Sequence, residues 1–157
     1  MTAPMNKSEI LDAVLRSLRA DFENRLRVSK KTREQGNNSE SRAEGKYDTL
    51  SIEENYLADG LAKQAESAAQ AITLIEKMQL RAFADNDPID LGALIEIQFA
   101  QATEWFFVAP VAGGTEVTYA GTPVTVVTPE SPVGKQLLGS HAGGKIKSPA
   151  AQILRVV

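Results

Sequence analysis

Few side chains in this sequence could do chemistry, and they are unevenly placed. His141 is the only histidine and cysteine is absent. That excludes disulfides, thiolate nucleophiles, cysteine-ligated zinc and any mechanism needing two imidazoles. His141 stands in a glycine-rich segment with no neighbour in sequence that would make it a base, so it reads as a surface residue. What remains is carboxylates and cations. Glu40, Glu44 and Asp48, with Glu53 and Glu54 further along, fall in and after the polar stretch "SKKTREQGNNSESRAEGKYD". Just before them, "RLRVSKKTR" places Arg25, Arg27, Lys30, Lys31 and Arg33 in close order. Taken alone, such acids solvate a loop and such cations keep an exposed helix soluble. Trp105, Phe106 and Phe107 are consecutive strand residues that alternate faces, which suits a core better than an RNA-stacking platform. The pairs Gly113-Gly114 and Gly143-Gly144 lack phosphate-loop spacing and read as turns.

The elements that must carry these residues come from a chain of 157 residues, enough for one ordinary domain or two small ones. The composition is that of a folded protein, 43% hydrophobic and 24% charged. A net charge of −3 argues against a uniformly basic nucleic-acid coat and leaves room for local basic patches. "MTAPMNKSEILD" meets charge before an apolar core can form, so a secretory leader is not expected. No apolar run approaches the roughly 20 residues of a membrane span, and the expected setting is the cytoplasm.

The chain changes character near "DNDPID", residues 85 to 90. Before it, proline occurs only at Pro4; after it come prolines, glycines and dense β-branched residues, and Pro88 disfavours helix at Asp87. Domains are therefore expected at 1–84 and 89–157. In the first, Asn6 with Glu9, or Ser8 alone, could cap a helix. Leu11, Val14, Leu15, Leu18, Phe22 and Leu26 then recur at helical spacing. The stripe fades after Val28 and returns with Leu57, Leu61, Ala65, Ala68, Ile72 and Ile75, ending near Phe83. That rhythm is a coiled-coil seam, and two such helices make an antiparallel hairpin whose far end is polar. From Ser8 to Gly36 the first helix would span roughly 40 Å at 1.5 Å per residue, more than a core-packing element needs.

In the second domain, "LGALIEIQFA", "TEWFFVAPVA", "TPVTVVTP" and "AQILRVV" read as strands. "SPVGKQLLG" fits one short helix with Ser131 as N-cap, Pro132 at the first position and Gly139 as stop. "HAGGKIKSPAAQ" is read as a loop. The expected class is α+β, an antiparallel coiled-coil hairpin followed by a small antiparallel sheet with one helix.

"TPESPVGKQLLGSHAGGKI" followed by "AQILRVV" resembles the C-terminal signature of the Gre transcript-cleavage factors of bacterial RNA polymerase. "IDLGALIEIQF" is similar to that family's entry strand, and "AEGKYDTLSIEENYLADGLAKQ" to the hairpin's return helix in shorter, divergent GreA/GreB members. The resemblance runs from about Ser8 to Val157 in the family's domain order. It implies an FKBP-like C-terminal domain that docks at the rim of the polymerase secondary channel, with Glu130, Ser131 and Pro132 matching the step that faces the rim. It also implies a coiled coil reaching down the channel, whose tip acids help hold a catalytic Mg2+ shared with the polymerase active site. The polymerase then cleaves the 3′ end of a backtracked transcript, so the factor is not itself an enzyme and has no cofactor of its own. The chemistry is coherent, because phosphodiester hydrolysis needs a metal that activates water and oxygen ligands that complete its shell.

Carried over residue by residue, the tip acids are Glu40, Glu44 and Asp48. Aligned on "REQG", the family's Asp falls on Asn37 and its Glu on Glu40, so half of the pair is missing unless Glu44 or Asp48 replaces it. Arg25, Arg27, Lys30, Lys31 and Arg33 would lie near the nascent RNA 3′ end, since cations neutralise phosphate. The partner implied is bacterial RNA polymerase, with RNA contacted indirectly, no membrane and a monomeric chain. Capping alone accounts for Ser131 and Pro132. Cleavage stimulation, a non-cleaving channel regulator and a coiled-coil adaptor for another partner stay open, and an independent prolyl isomerase follows only from fold analogy.

Overall fold

The computed structural model describes residues 4–40 and 46–157, with the side chains of 36–40, 46–51 and Glu54 outside that description. Two long helices come first, α1 Lys7–Glu40 and α2 Lys46–Glu76. Asn6 starts α1: its Oδ1 accepts from the Ser8 and Glu9 amides at 3.0 and 3.3 Å, and its Nδ2 donates to the Glu9 carboxylate. Of the two caps the sequence allows, the Asn6–Glu9 box forms. Helix α1 runs through Gly36, because one glycine costs only about 1 kcal/mol against alanine and Arg33, Glu34 and Gln35 just before it favour helix. α2 stops at Glu76 and not near Phe83. Phe83 is claimed by the sheet core, so residues 77–83 leave the helix to reach it.

Six strands follow: β1 Leu94–Gln98, β2 Thr103–Val108, β3 Glu116–Tyr119, β4 Thr122–Val127, β5 Lys145–Lys147 and β6 Ala150–Val156, with helix α3 Pro132–Leu137 between β4 and β5. They form one sheet in the order β3-β4-β2-β1-β6-β5. The α+β class holds, but the sheet is mixed and not antiparallel throughout. β2 pairs with β4 in parallel, Trp105 opposite Val124. The cause is β3, which sequence reading missed. It forms a hairpin with β4 at the sheet edge and so returns β4 in the direction of β2. Ala120 and Gly121 both have positive φ, 48° and 81°, as a two-residue hairpin turn matched to strand twist requires. β5, placed in a loop by the sequence, is a three-residue edge strand paired to β6.

Strand alternation sorts the aromatic run. Phe106 joins Ile95, Ile97, Val108, Val127, Ile153 and Leu137 in the core beneath α3. Trp105 and Phe107 point to the opposite face with Leu94, Val124 and Val126, and these too are buried. Both faces of the sheet are therefore covered.

By packing, the chain divides into two compact units, one holding the stretch up to Ser17 together with Thr73–Val157, the other Leu18–Ile72. The change from helix to strand near Pro88 marks where secondary structure switches; the packing division lies elsewhere. In the first unit Ile10, Val14, Leu15 and Ile75 are buried. Lys7 ties this unit together, donating from Nζ to the Arg81 and Val157 carbonyls, the latter at 2.9 Å. Burial, and then the nearby Arg81 charge, hold its ammonium below the usual lysine pKa. Phe83 receives both cations on its ring, Lys7 Nζ at 4.8 Å and the Arg81 guanidinium at 3.8 Å from the centroid.

The second unit is a helix pair. Ser29 Oγ donates to the Ala58 carbonyl at 2.9 Å, Arg25 donates to Gln64, and Arg33 is bonded to Asp59. Arg25 meets Gln64, whereas Ser29 and Arg33, further along α1, meet Ala58 and Asp59, further back on α2, so the helices run antiparallel. Among the described residues the seam on α2 takes in Ala58, which is buried, and not Leu57, which is 58% exposed. The gaps from Leu61 through Ala65, Ala68, Ile72 and Ile75 run four, three, four, three, and carried one step back they land on Ala58, whose small side chain suits close helix approach. Leu18 is only half buried. Leu18→Ala is accordingly expected to cost less than the ~2–5 kcal/mol of a fully buried leucine, as read from urea unfolding midpoints.

Candidate functional site

The corner formed by "TPESPVGKQLLG" is built around the Thr128 carbonyl. Ser131 Oγ donates to it at 2.8 Å and accepts from the Gly134 amide at 2.9 Å, which satisfies a free donor in the first turn of α3. Pro132 follows at the first helical position, where its missing N–H costs nothing. Gly139 has φ 78° and ends the helix as expected. Its amide donates to the Ile89 carbonyl at 2.9 Å, while the Ile89 amide donates to Ser140 at 2.7 Å, so α3 is stapled at its far end. On the side, Gln136 clamps the β5–β6 connection. Its Nε2 donates to the Ser148 carbonyl at 2.8 Å and its Oε1 accepts the Lys147 amide at 2.9 Å.

These three attachments hold Glu130, Ser131 and Pro132 on a fixed corner with Glu130 and Pro132 exposed and Ser131 half buried. Sequence reasoning found the cap and the stop and missed Gln136 and Gly134. A glycine inside a six-residue helix was a legible signal of close backbone approach. Nothing in sequence paired Gln136 with a segment eleven and twelve residues on.

The basic stretch lies on α1 within the helix-pair unit. Arg25 is engaged by Asp21 at 2.8 Å and by Gln64 at 2.6 Å, Arg27 by Asn24 at 2.9 Å, and Arg33 by Asp59. Lys30 and Lys31 are exposed, and among the described residues neither forms an ion pair. Of the tip acids, Glu44 lies outside the described residues, as do the side chains of Asn37, Glu40, Asp48 and Glu54; Glu53 is exposed. Among the described residues no three His, Cys, Asp or Glu side chains gather where they could hold a metal. His141 is exposed, its Nδ1 2.9 Å from the Ala142 carbonyl. Among the described residues no helix is long and apolar enough to cross a membrane.

No protein-family model and no curated relative matches the chain. Solved structures do. GreA factor homolog 1 of Thermus thermophilus is 15% identical over 94% of each chain, with a TM-score of 0.36. A second structure, described as a transcription factor of the same name, is 14% identical over 92% of this chain and 93% of that one, at 0.36. The same-named protein of Thermus aquaticus is 16% identical over 88% and 94%, again at 0.36.

Proposed function

We propose that this chain is a divergent member of the GreA/GreB group that binds bacterial RNA polymerase at its secondary channel and modulates transcription elongation. One observation carries the reading. α1 and α2, of 34 and 31 residues, are far longer than their packing requires. Between positions 18 and 72 the buried side chains among the described residues are Ser29, Ala58 and Ala65. None is large. A helix of that length reaches roughly 50 Å at 1.5 Å per residue, so the pair serves reach and not a core. It is coupled in sequence to a rigid, capped corner bearing Glu130, which supplies a docking point.

On this reading the corner anchors the factor and the helix pair enters the channel. Glu40, with Glu44 or Asp48, would offer carboxylate oxygens to the polymerase's Mg2+ and so stimulate cleavage of a backtracked transcript. Asn37 favours a second reading, a channel occupant that does not cleave, because a neutral amide lacks the charge that attracts a weakly held cation.

Capture of polymerase from bacterial lysate by the tagged chain tests the first step, and no capture leaves the adaptor reading in place. Glu130→Ala is expected to weaken capture while leaving the unfolding midpoint within about 0.5 kcal/mol of wild type, as for other exposed positions. Undiminished capture by that folded variant would move the docking point elsewhere.

A further inference from the structure

α2 carries an interior glycine that nothing among the described residues explains. A Cβ built on Gly60 would meet no atom within 4 Å, so no neighbour requires the missing side chain. Its backbone is ordinary helix, which any residue adopts and glycine, after proline, favours least. One turn before it stands Tyr56, 74% exposed, with Ile52 and Leu57 also bare to solvent. Glu53, Tyr56, Gly60 and Lys63 are spaced three, four and three, the rhythm of a helix-packing stripe. All four are exposed, on the side of α2 turned away from the buried Ala58 and Ala65. Among the described residues neither Glu53 nor Lys63 forms an ion pair, while Asp59, at the edge of this face, is already answered by Arg33 of α1.

The stripe is complementary to itself reversed. Glu53 and Lys63 are centred on position 58, and so are Tyr56 and Gly60. We infer that this face of α2 is a self-association surface, on which two chains pair antiparallel with Tyr56 over the partner's Gly60 and Glu53 against the partner's Lys63. A two-fold axis crossing the face at the level of position 58 makes each of these contacts twice, as an isologous interface requires. The absent Cβ opens the Gly60 backbone to an aromatic ring, which gives the glycine its use. Parallel pairing would set acid against acid and lysine against lysine. A nucleic-acid strand would bring phosphate up to Glu53 and Asp59, which repel it. An apolar groove on another protein would take Ile52, Tyr56 and Leu57 but leave Glu53 and Lys63 unanswered. The inference does not depend on the channel reading. Where that reading holds, a paired stalk is too thick to enter beside its partner, so self-association holds the chain back when it is abundant.

Sedimentation equilibrium of the full chain is the test. One helix-to-helix contact lies at the small, transient end of interface sizes, so a reversible dimer with a Kd of about 1–100 μM is expected. Tyr56→Ala should raise that Kd about tenfold or more, as truncation of a central aromatic does. Gly60→Gln should also weaken the dimer. At concentrations where wild type is monomeric the same variant should have the higher urea midpoint, because glutamine favours helix and displaces nothing. Glu53→Lys and Lys63→Glu should each weaken the dimer, whereas the double variant, or the two single variants mixed, should restore it. Wild type that stays monomeric up to about 1 mM overturns the inference, as does a dimer indifferent to Tyr56 and Gly60. So does a double variant no tighter than the singles, which removes the antiparallel pairing. Loss of polymerase capture or of RNA binding in Tyr56→Ala, with no dimer to lose, assigns the face to that other partner and overturns it too. A chain that dimerises as expected yet captures no polymerase keeps the inference and removes the channel reading; one that captures polymerase and never dimerises does the reverse.

Discussion

Gly134→Ala is expected to unfold more easily than wild type by at least 1–3 kcal/mol and to lose polymerase capture with it. The reason is room and not backbone freedom. A Cβ built on Gly134 would lie 1.8 Å from the Thr128 carbonyl oxygen and 2.7 Å from Ser131 Oγ. The Thr128 oxygen belongs to backbone and cannot rotate away. Either the 128–131 turn or α3 must shift, and both are held, the turn by its two Ser131 bonds and the helix by Leu137 in the core and by Gln136. Alanine's better helix propensity returns only about 1 kcal/mol. Lys135→Ala, one position on and exposed, is the control and should stay within about 0.5 kcal/mol of wild type. Equal urea midpoints for the two variants would show that the close approach is not what holds this corner.

The larger functional effect is expected at the tip. If the chain stimulates cleavage, Asn37→Asp should raise the rate on a stalled, backtracked complex by about tenfold or more, and Glu40→Gln should abolish stimulation. Magnesium takes oxygen ligands at about 2.0–2.1 Å, so carboxylates that share one ion must converge on a single point. Without the ion that convergence of like charges is unfavourable, so the isolated chain should bind magnesium weakly and gain affinity only when polymerase carboxylates complete the shell. Each factor of ten in rate corresponds to about 1.4 kcal/mol, a modest demand on one added charge beside a divalent cation. Should wild type and both variants leave backtracked RNA equally intact while still binding polymerase, cleavage is removed and the non-cleaving occupant remains.

How much was legible follows from what kind of signal each element leaves. The helix pair shows in its apolar period, and α3 in the local chemistry of Ser131, Pro132 and Gly139, because caps and periods are written within a few residues. The alternation of Trp105, Phe106 and Phe107 likewise places them correctly in the core. β3 and β5 were not legible: at four and three residues they are too short for a period to show. The parallel β2–β4 pairing was hidden with β3, since strand direction depends on an intervening hairpin. Leu57 was the expected seam residue because it is the more apolar of two neighbours, whereas the four-three alternation from Leu61 to Ile75, carried one step back, lands on Ala58. For the candidate site, Glu130, Ser131 and Pro132 fall on one exposed corner, but the clamp by Gln136 is tertiary and left no trace in sequence.

β6 is the last strand in sequence, yet it lies inside the sheet, between β1 and β5. During synthesis β1, β2, β3 and β4 can assemble early, but β1 then keeps an open edge until β6 arrives, and β5 has nothing to join. The Lys7 contact with Val157, 150 positions apart, closes at the same late moment. Unpaired edges recruit other chains, so a nascent chain is most exposed to misassociation in the interval before β6. The second unit, Leu18–Ile72, makes none of these contacts and can form before the sheet closes.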